Sequence, residues 1–132
     1  GVTGSRKNHW EQRSKTMPEL QLLDLAAAAL NELKARDVRV LDVRSLTSIT
    51  DHMVVATGTS DRHVRSIAEK LIEGTKKAGK PPLGVEGQEG GEWVLVDMHD
   101  VVVHIMQQRT REFYKLEDLW AVEPSATIRQ VD

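Results

Sequence analysis

The sequence Glu-Trp-Val-Leu-Val-Asp-Met-His-Asp-Val-Val-Val-His-Ile-Met, residues 92–106, decides the fold. Two apolar runs, which begin at Trp93 and Val101, are separated by a short polar break, and this pattern predicts a β-hairpin. The three consecutive valines from Val101 to Val103 are typical of a strand that is covered on both faces. We therefore expect this hairpin to form the centre of the sheet.

Hydrophobic periodicity on either side of the hairpin predicts further strands and helices. Three more strands are predicted, at residues 38–43, 49–58 and 83–86. Helical spacing predicts three helices, at residues 16–35, 62–77 and 109–114. In the last helix we expect Phe113 and Leu116 to share one side. The short connection between the first two strands favours an antiparallel pair.

These elements follow the order α-β-β-α-β-β-β-α, which predicts an α/β (α+β) fold, a mixed sheet of about five strands flanked by helices. The 132 residues fit one domain, which we place at residues 17–120. Residues 1–16 are polar and basic without apolar periodicity, so we expect a disordered arm, either native or left over from expression. Residues 121–132 also lack periodicity, and we expect a loose C-terminal tail.

The composition excludes several classes of protein. There is no cysteine, which excludes disulfides and thiolate chemistry. No apolar run approaches the roughly 20 residues that span a bilayer, and the N-terminal residues are charged, so we expect a cytoplasmic protein that does not bind membranes. The net charge of −2 gives no strong attraction to nucleic acid, and no sequence-specific nucleic-acid partner is expected.

No pattern of residues predicts a catalytic or metal site. The five histidines have no metal-ligand spacing, and no serine lies in a nucleophile elbow. Four aspartates lie near predicted strand ends, but no two of them form an Asp-x-Asp pair on one strand face: Asp42, Asp51, Asp97 and Asp100. We therefore predict no catalytic residue, no metal and no cofactor.

Residues 81–108 contain five acidic residues and no lysine or arginine. With Trp93, Met98 and the later Tyr114 nearby, this composition suits contact with a basic protein, because interface cores are enriched in aromatics and methionine. The alternative is that the tryptophan belongs to the core and the acids are merely solvated. Composition alone leaves both interpretations open, although it argues against RNA as a direct partner of this stretch, since phosphates would be repelled.

Several motifs, read in order, resemble those of the ribosomal silencing factor family, also called RsfS, YbeB or Iojap-like. The similarity covers about residues 17–120. The motifs are Ser48-Ile-Thr-Asp51, Ala56-Thr-Gly-Thr-Ser60, Arg62-His-Val64, Ser66-Ile-Ala68, Pro82-Leu-Gly-Val-Glu-Gly87, Trp93-Val-Leu-Val-Asp97, Asp100-Val-Val-Val-His-Ile-Met106 and Phe113-Tyr-Lys-Leu-Glu-Asp-Leu-Trp120.

The resemblance implies a non-enzymatic protein with a nucleotidyltransferase-like fold, commonly a homodimer. It implies binding to the large ribosomal subunit through its fourteenth protein and a steric block to joining with the small subunit, which represses translation. Two alternatives remain open: a role in large-subunit assembly without silencing, and a nucleotidyltransferase-like enzyme. The contacts with the basic partner are then expected at Trp93, Asp97, Met98, Asp100 and Tyr114.

Overall fold

A six-stranded mixed sheet carries two long helices on one face. The computed structural model describes residues 17–119 and 126–128. The helices are α1 (Met17–Glu32), α2 (Asp61–Lys77), α3 (Gln108–Tyr114) and α4 (Leu116–Leu119). The strands are β1 (Arg36–Asp42), β2 (His52–Gly58), β3 (Gly84–Glu86), β4 (Trp93–Asp97), β5 (Val101–Gln107) and β6 (Ala126–Ile128). Their order across the sheet is β3-β4-β5-β2-β1-β6, and every neighbouring pair is antiparallel except β2 and β5.

The predicted hairpin is confirmed, and β5 lies in the interior of the sheet. β4 and β5 pair antiparallel with Trp93 opposite Met106, and β5 also pairs with β2. Val103 and Ile105 are fully buried on the helix-covered face, which we call the first face. On the second face His104 and Met106 are also buried, while Val102 is only partly covered. The antiparallel pairing predicted for β1 and β2 is confirmed as well.

The first face holds the main core. Each long helix contributes an apolar stripe: Ala26 and Leu30 of α1 are fully buried, and so are Ile67 and Leu71 of α2. Ser60 caps α2 by accepting a hydrogen bond from the backbone N–H of His63, at 3.0 Å. The central strand residues that point toward these helices, such as Val54, Val94 and Val103, are therefore removed from solvent, and alternate side chains of the same strands point to the second face.

The second face is covered only in part. A smaller cluster of buried residues lies there, with Trp93 packed against its edge: Leu41, Val43, Met53, Val55, Met106 and Leu116. Leu116 of α4 supplies the cover, and α3 contacts β2 and β5. The half of this face formed by β3 and β4 has no helix above it among the described residues.

Two expectations about the C-terminal region are wrong. Residues 126–128, which were expected in a loose tail, form β6 and pair with β1 at Val38 to Val40. Three residues are too short to leave a visible period of alternation. Phe113 and Leu116 do not share a side, since Phe113 is 78% exposed and Leu116 is 8% exposed. Lys115 between them has left-handed backbone angles, which end α3 and redirect the chain. The expectation for residues 1–16 lies outside the described residues.

A single buried arginine fastens α3 to the sheet. Arg111, 6% exposed, donates through Nη1 to the Thr57 hydroxyl at 2.8 Å and to the Asp37 carbonyl oxygen at 2.7 Å. Its Nη2 donates to a Glu117 carboxylate oxygen at 2.7 Å, which joins α3 to α4. One side chain thus links β1, β2 and both short helices.

We expect Arg111→Ala to lower the free energy of unfolding by about 3 kcal/mol, because it leaves the Glu117 carboxylate without its partner in a poorly hydrated place. Urea denaturation measures the change. The control is Arg109→Ala, two residues away on the same helix but exposed, which should stay within about 0.5 kcal/mol of the wild type. Equal effects of the two substitutions would contradict this role of Arg111.

Candidate protein-binding face

Two of the residues predicted to bind a partner lie against each other. Trp93 begins β4 and Tyr114 ends α3, and their ring centroids are 5.0 Å apart. Tyr114 is 49% exposed and Trp93 is partly buried on the second face. The strand and the helix therefore place both aromatic rings at the border between the covered and the open half of this face.

His104 holds Trp93 from inside the sheet. The indole Nε1–H of Trp93 donates to Nδ1 of His104 at 2.9 Å, and the ring centroids are 5.8 Å apart. An indole can only donate, so Nδ1 must carry a lone pair and the imidazole must be neutral. Burial of His104, which is 5% exposed, lowers its pKa to about 4 and favours the same neutral form.

Two further apolar residues extend this pair outward. Phe113 packs edge-on against Tyr114 at a centroid distance of 4.9 Å. Leu95 follows Trp93 by two residues along β4, so it lies on the same face, and it is partly exposed. We call Trp93, Leu95, Phe113 and Tyr114 the aromatic face. Sequence reasoning did not predict Leu95 as a site residue, although its spacing from Trp93 indicates the same face of the strand. It did not predict Phe113 either, and no sequence signal marks that residue.

Met98 does not belong to this face, and its prediction as a partner contact is wrong. It is 1% exposed and packs in the main core of the first face. Its backbone N–H donates to the carbonyl oxygen of Val101 at 2.8 Å, which closes the hairpin turn and holds the residue in place. Its position in a turn between two acidic residues suggested exposure, but the turn folds its side chain inward.

The two predicted acidic contacts lie at the other end of the hairpin. Asp97 points to the second face, but it is four residues from Trp93 along β4, or about 13 Å. Its carboxylate accepts a hydrogen bond from the backbone N–H of His99 at 3.0 Å. Asp100 is exposed in the turn. The structure therefore does not bring either aspartate to the aromatic pair.

A shallow depression of about 310 Å³ lies beside Trp93 on the open half of the second face. Its lining residues are Glu86, Gly87, Trp93 and Leu95. Glu86 of β3 is directly opposite Leu95 of β4, and its side chain is exposed. Gly87 has a φ of +81°, and any Cβ there would overlap the carbonyl oxygen of Trp93. The acidic residue that accompanies the aromatic face is thus Glu86.

The described part of the chain offers no arrangement typical of metal or nucleotidyl-transfer chemistry. Across the described residues, no three His, Asp or Glu side chains come close enough to hold a metal ion. Hydrogen bonds from the Arg44 side chain hold Asp42 ionised and lower its pKa to about 2. The cleft at the carboxyl ends of β2 and β5, about 620 Å³, has no carboxylate among its lining residues, which are Arg36, Thr57, Gly58, Thr59, Gln107, Gln108 and Arg109. No described helix is long and apolar enough to cross a bilayer.

Comparison with known proteins identifies the family of the chain. The family model for RsfS, ribosomal silencing factor during starvation, matches residues 14–132. The chain belongs to the RsfS family. The RsfS of Haemophilus influenzae is 44% identical over 102 residues, which are 77% of this chain and the whole of that protein. The RsfS of Chromobacterium violaceum is 45% identical over 100 residues, which are 76% of this chain and 82% of that protein.

More distant relatives and solved structures agree with the RsfS assignment. A mouse protein named mitochondrial assembly of ribosomal large subunit protein 1 is 33% identical over 103 residues, which are 76% of this chain and 45% of the mouse protein. A crystal structure from Chromobacterium violaceum superposes with a TM-score of 0.76 at 42% identity, covering 81% of this chain and 89% of that one. One from Bacillus halodurans gives 0.72 at 33% identity, covering 83% and 98%. The predicted family and the mixed α+β sheet are confirmed.

The neutral state of His104 predicts a loss of stability in acid. The folded pKa of about 4 is below the ordinary value of 6.5, so the unfolded chain binds more protons between these values. The contribution of neutral His104 to the free energy of unfolding is complete above pH 6.5 and is lost as the pH falls toward 4. Between pH 7.5 and 4.5 we expect His104 to account for a loss of roughly 2–3 kcal/mol in the free energy of unfolding.

Urea denaturation at both pH values, for the wild type and His104→Asn, measures this contribution. Asparagine offers an acceptor oxygen but does not titrate, so the variant should lose correspondingly less stability in acid. His99→Asn is the matched control, because His99 is exposed and its φ of +76° suits asparagine. A pH dependence of the His104 variant equal to that of the wild type would refute the assignment.

Proposed function

We propose that this protein binds the large ribosomal subunit through its fourteenth protein and sterically blocks joining with the small subunit, which represses translation. Membership of the RsfS family supports a role at the ribosome. The observation that carries the proposal is the aromatic face, a partly exposed apolar surface held in a fixed arrangement, beside strands whose sequence, residues 81–108, carries acidic residues and no lysine or arginine.

The aromatic face has the properties of a docking surface. Phe113 is 78% exposed and Tyr114 is 49% exposed, yet both rings are held in contact rather than scattered over the surface. Clustered aromatic residues are the usual anchors of protein interfaces, because they bury a large area with few rotatable bonds. The uncovered half of the second face gives such a partner room to pack.

Charge favours a basic partner. Residues 81–108, which form β3, β4 and β5, include no lysine or arginine, and Glu86, Glu89, Glu92 and Asp100 are exposed. A basic ribosomal protein would meet complementary charge here, which speeds encounter and suppresses wrong partners. Asp97 and Asp100, at the far end of the hairpin, can orient such a partner without contacting the aromatic pair.

The proposed mechanism is occupancy, not catalysis. A protein that covers the joining surface of a subunit needs neither nucleophile nor cofactor, only enough affinity to stay in place. The proposal also includes a cytoplasmic location, which the ribosomal silencing factors of bacteria among the relatives support, and a homodimer, which the family resemblance implies. Analytical ultracentrifugation of the purified chain tests the dimer.

The alternative is an assembly role without silencing. It is favoured by the name of the mouse relative, which refers to assembly of the ribosomal large subunit. Both roles begin with the same docking step, so the docking surface by itself does not separate them.

Sedimentation of purified ribosomal subunits separates these roles. Co-migration of the protein with the large subunit, together with loss of joined ribosomes, is the expected result. Co-migration without loss of joining would favour the assembly role. Failure to co-migrate would rule out both.

We expect Phe113→Ala to weaken binding to the large subunit about 30-fold, as is typical for an aromatic anchor at the centre of an interface. Binding is measured by co-sedimentation over a range of protein concentrations. Ile49→Ala is the matched control, since Ile49 is 85% exposed but lies in the connection between β1 and β2. Neither substitution removes a core contact. If both variants bind like the wild type, the docking surface is elsewhere.

A further inference from the structure

We propose that the depression lined by Glu86, Gly87, Trp93 and Leu95 is a pocket for one basic side chain, an arginine or a lysine, of the protein partner. The inference rests on the proposed function in that it takes the partner to be a protein of the large ribosomal subunit. It adds which chemical group of that partner is recognised and where.

The backbone arranges a carboxylate and an apolar wall side by side. Trp93 and Leu95 are on the same face of β4, and Glu86 of β3 pairs with Leu95. Gly87 directly follows Glu86 and packs on the backbone of Trp93, where a side chain would not fit. The wall next to the indole therefore stays open, at the point where β3 ends.

The indole has no hydrogen-bond donor to offer a ligand. Its only N–H donates a hydrogen bond inward, to Nδ1 of His104, at 2.9 Å. Trp93 can thus contact a ligand only through its apolar ring, whose face attracts a cation. A lysine or arginine fits these walls, because its methylene stem can lie against Leu95 and Trp93 while its charged head reaches the carboxylate of Glu86.

Glu86 is available for such a ligand. It forms no ion pair with any described residue, and residues 81–108 contain no cation that could occupy the site from within the same hairpin region. A phosphate would be repelled by the carboxylate. A purely apolar side chain would fill the space but would desolvate Glu86 without compensating its charge.

Charge reversal tests the pocket on the ribosome. Glu86→Lys should weaken binding to the large subunit about 30-fold, because it places a cation where the partner's cation must lie. Glu89→Lys is the matched control, since Glu89 is an exposed acid in the connection between β3 and β4, outside the depression, and the change in net charge is identical. It should stay within about threefold of the wild type. Equal losses for both variants would mean general electrostatics and would overturn the pocket.

A second experiment needs no ribosome. The labelled protein is titrated with N-acetyl-arginine methylamide, and with the citrulline analogue, which has nearly the same shape but no charge. The arginine compound should shift the indole N–H resonance of Trp93 and the amide resonances of Gly87 and Leu95, and Glu86→Gln should reduce these shifts. No shift, or equal shifts with citrulline, would overturn the proposal.

The two experiments separate failure of the pocket from failure of the proposed function. If the wild type binds large subunits but Glu86→Lys matches Glu89→Lys, the pocket is wrong and the function stands. If the wild type does not bind large subunits, the function is wrong, and the arginine titration alone decides whether the pocket takes a basic side chain.

Discussion

The structure depends on one constraint: β5 is an interior strand and must be covered on both faces. Its first face is sealed by α1 and α2, which pack over Val103 and Ile105. Its second face carries His104, a polar residue that burial would penalise without a partner. The indole of Trp93 is that partner. The hydrogen bond that satisfies the buried imidazole thus also fixes the position of Trp93.

The position of the aromatic face follows from an incomplete second layer. α3 and α4 cover the sheet over β1, β2 and β5, and Arg111 holds them there through contacts to both strands and to Glu117. They reach β4 at Trp93, against which Tyr114 packs. Phe113 and Tyr114 lie at the end of α3, just before the left-handed Lys115 turns the chain back toward the sheet. The aromatic rings therefore mark the limit of the covered region.

Sequence reasoning identified the parts of the molecule that local patterns govern. Alternation predicted the hairpin, and helical spacing predicted the buried face of α2. Trp93 and Tyr114, both predicted as partner contacts, lie side by side. The errors had non-local causes. Met98 is buried because its turn folds against the helices, and β6 exists because β1 has a free edge to pair with. Phe113 and Leu116 do not share a side because the left-handed backbone at Lys115 ends the helix between them, and a lysine gives no sequence signal of that conformation. Glu86 and Leu95 become neighbours only through strand pairing.

The parallel pairing of β2 with β5 has a consequence for how the chain folds. The hairpin of β4 and β5 joins neighbouring segments, so it can form early and at low entropic cost. β2 pairs with β5 across about 50 residues, from His52 to Val101, which include α2, β3 and β4. Closing so long a loop is slow, and until it closes the apolar faces of both strands are open to other chains. We expect this step to limit the folding rate. Until β2 pairs with β5, the valines of the hairpin remain exposed.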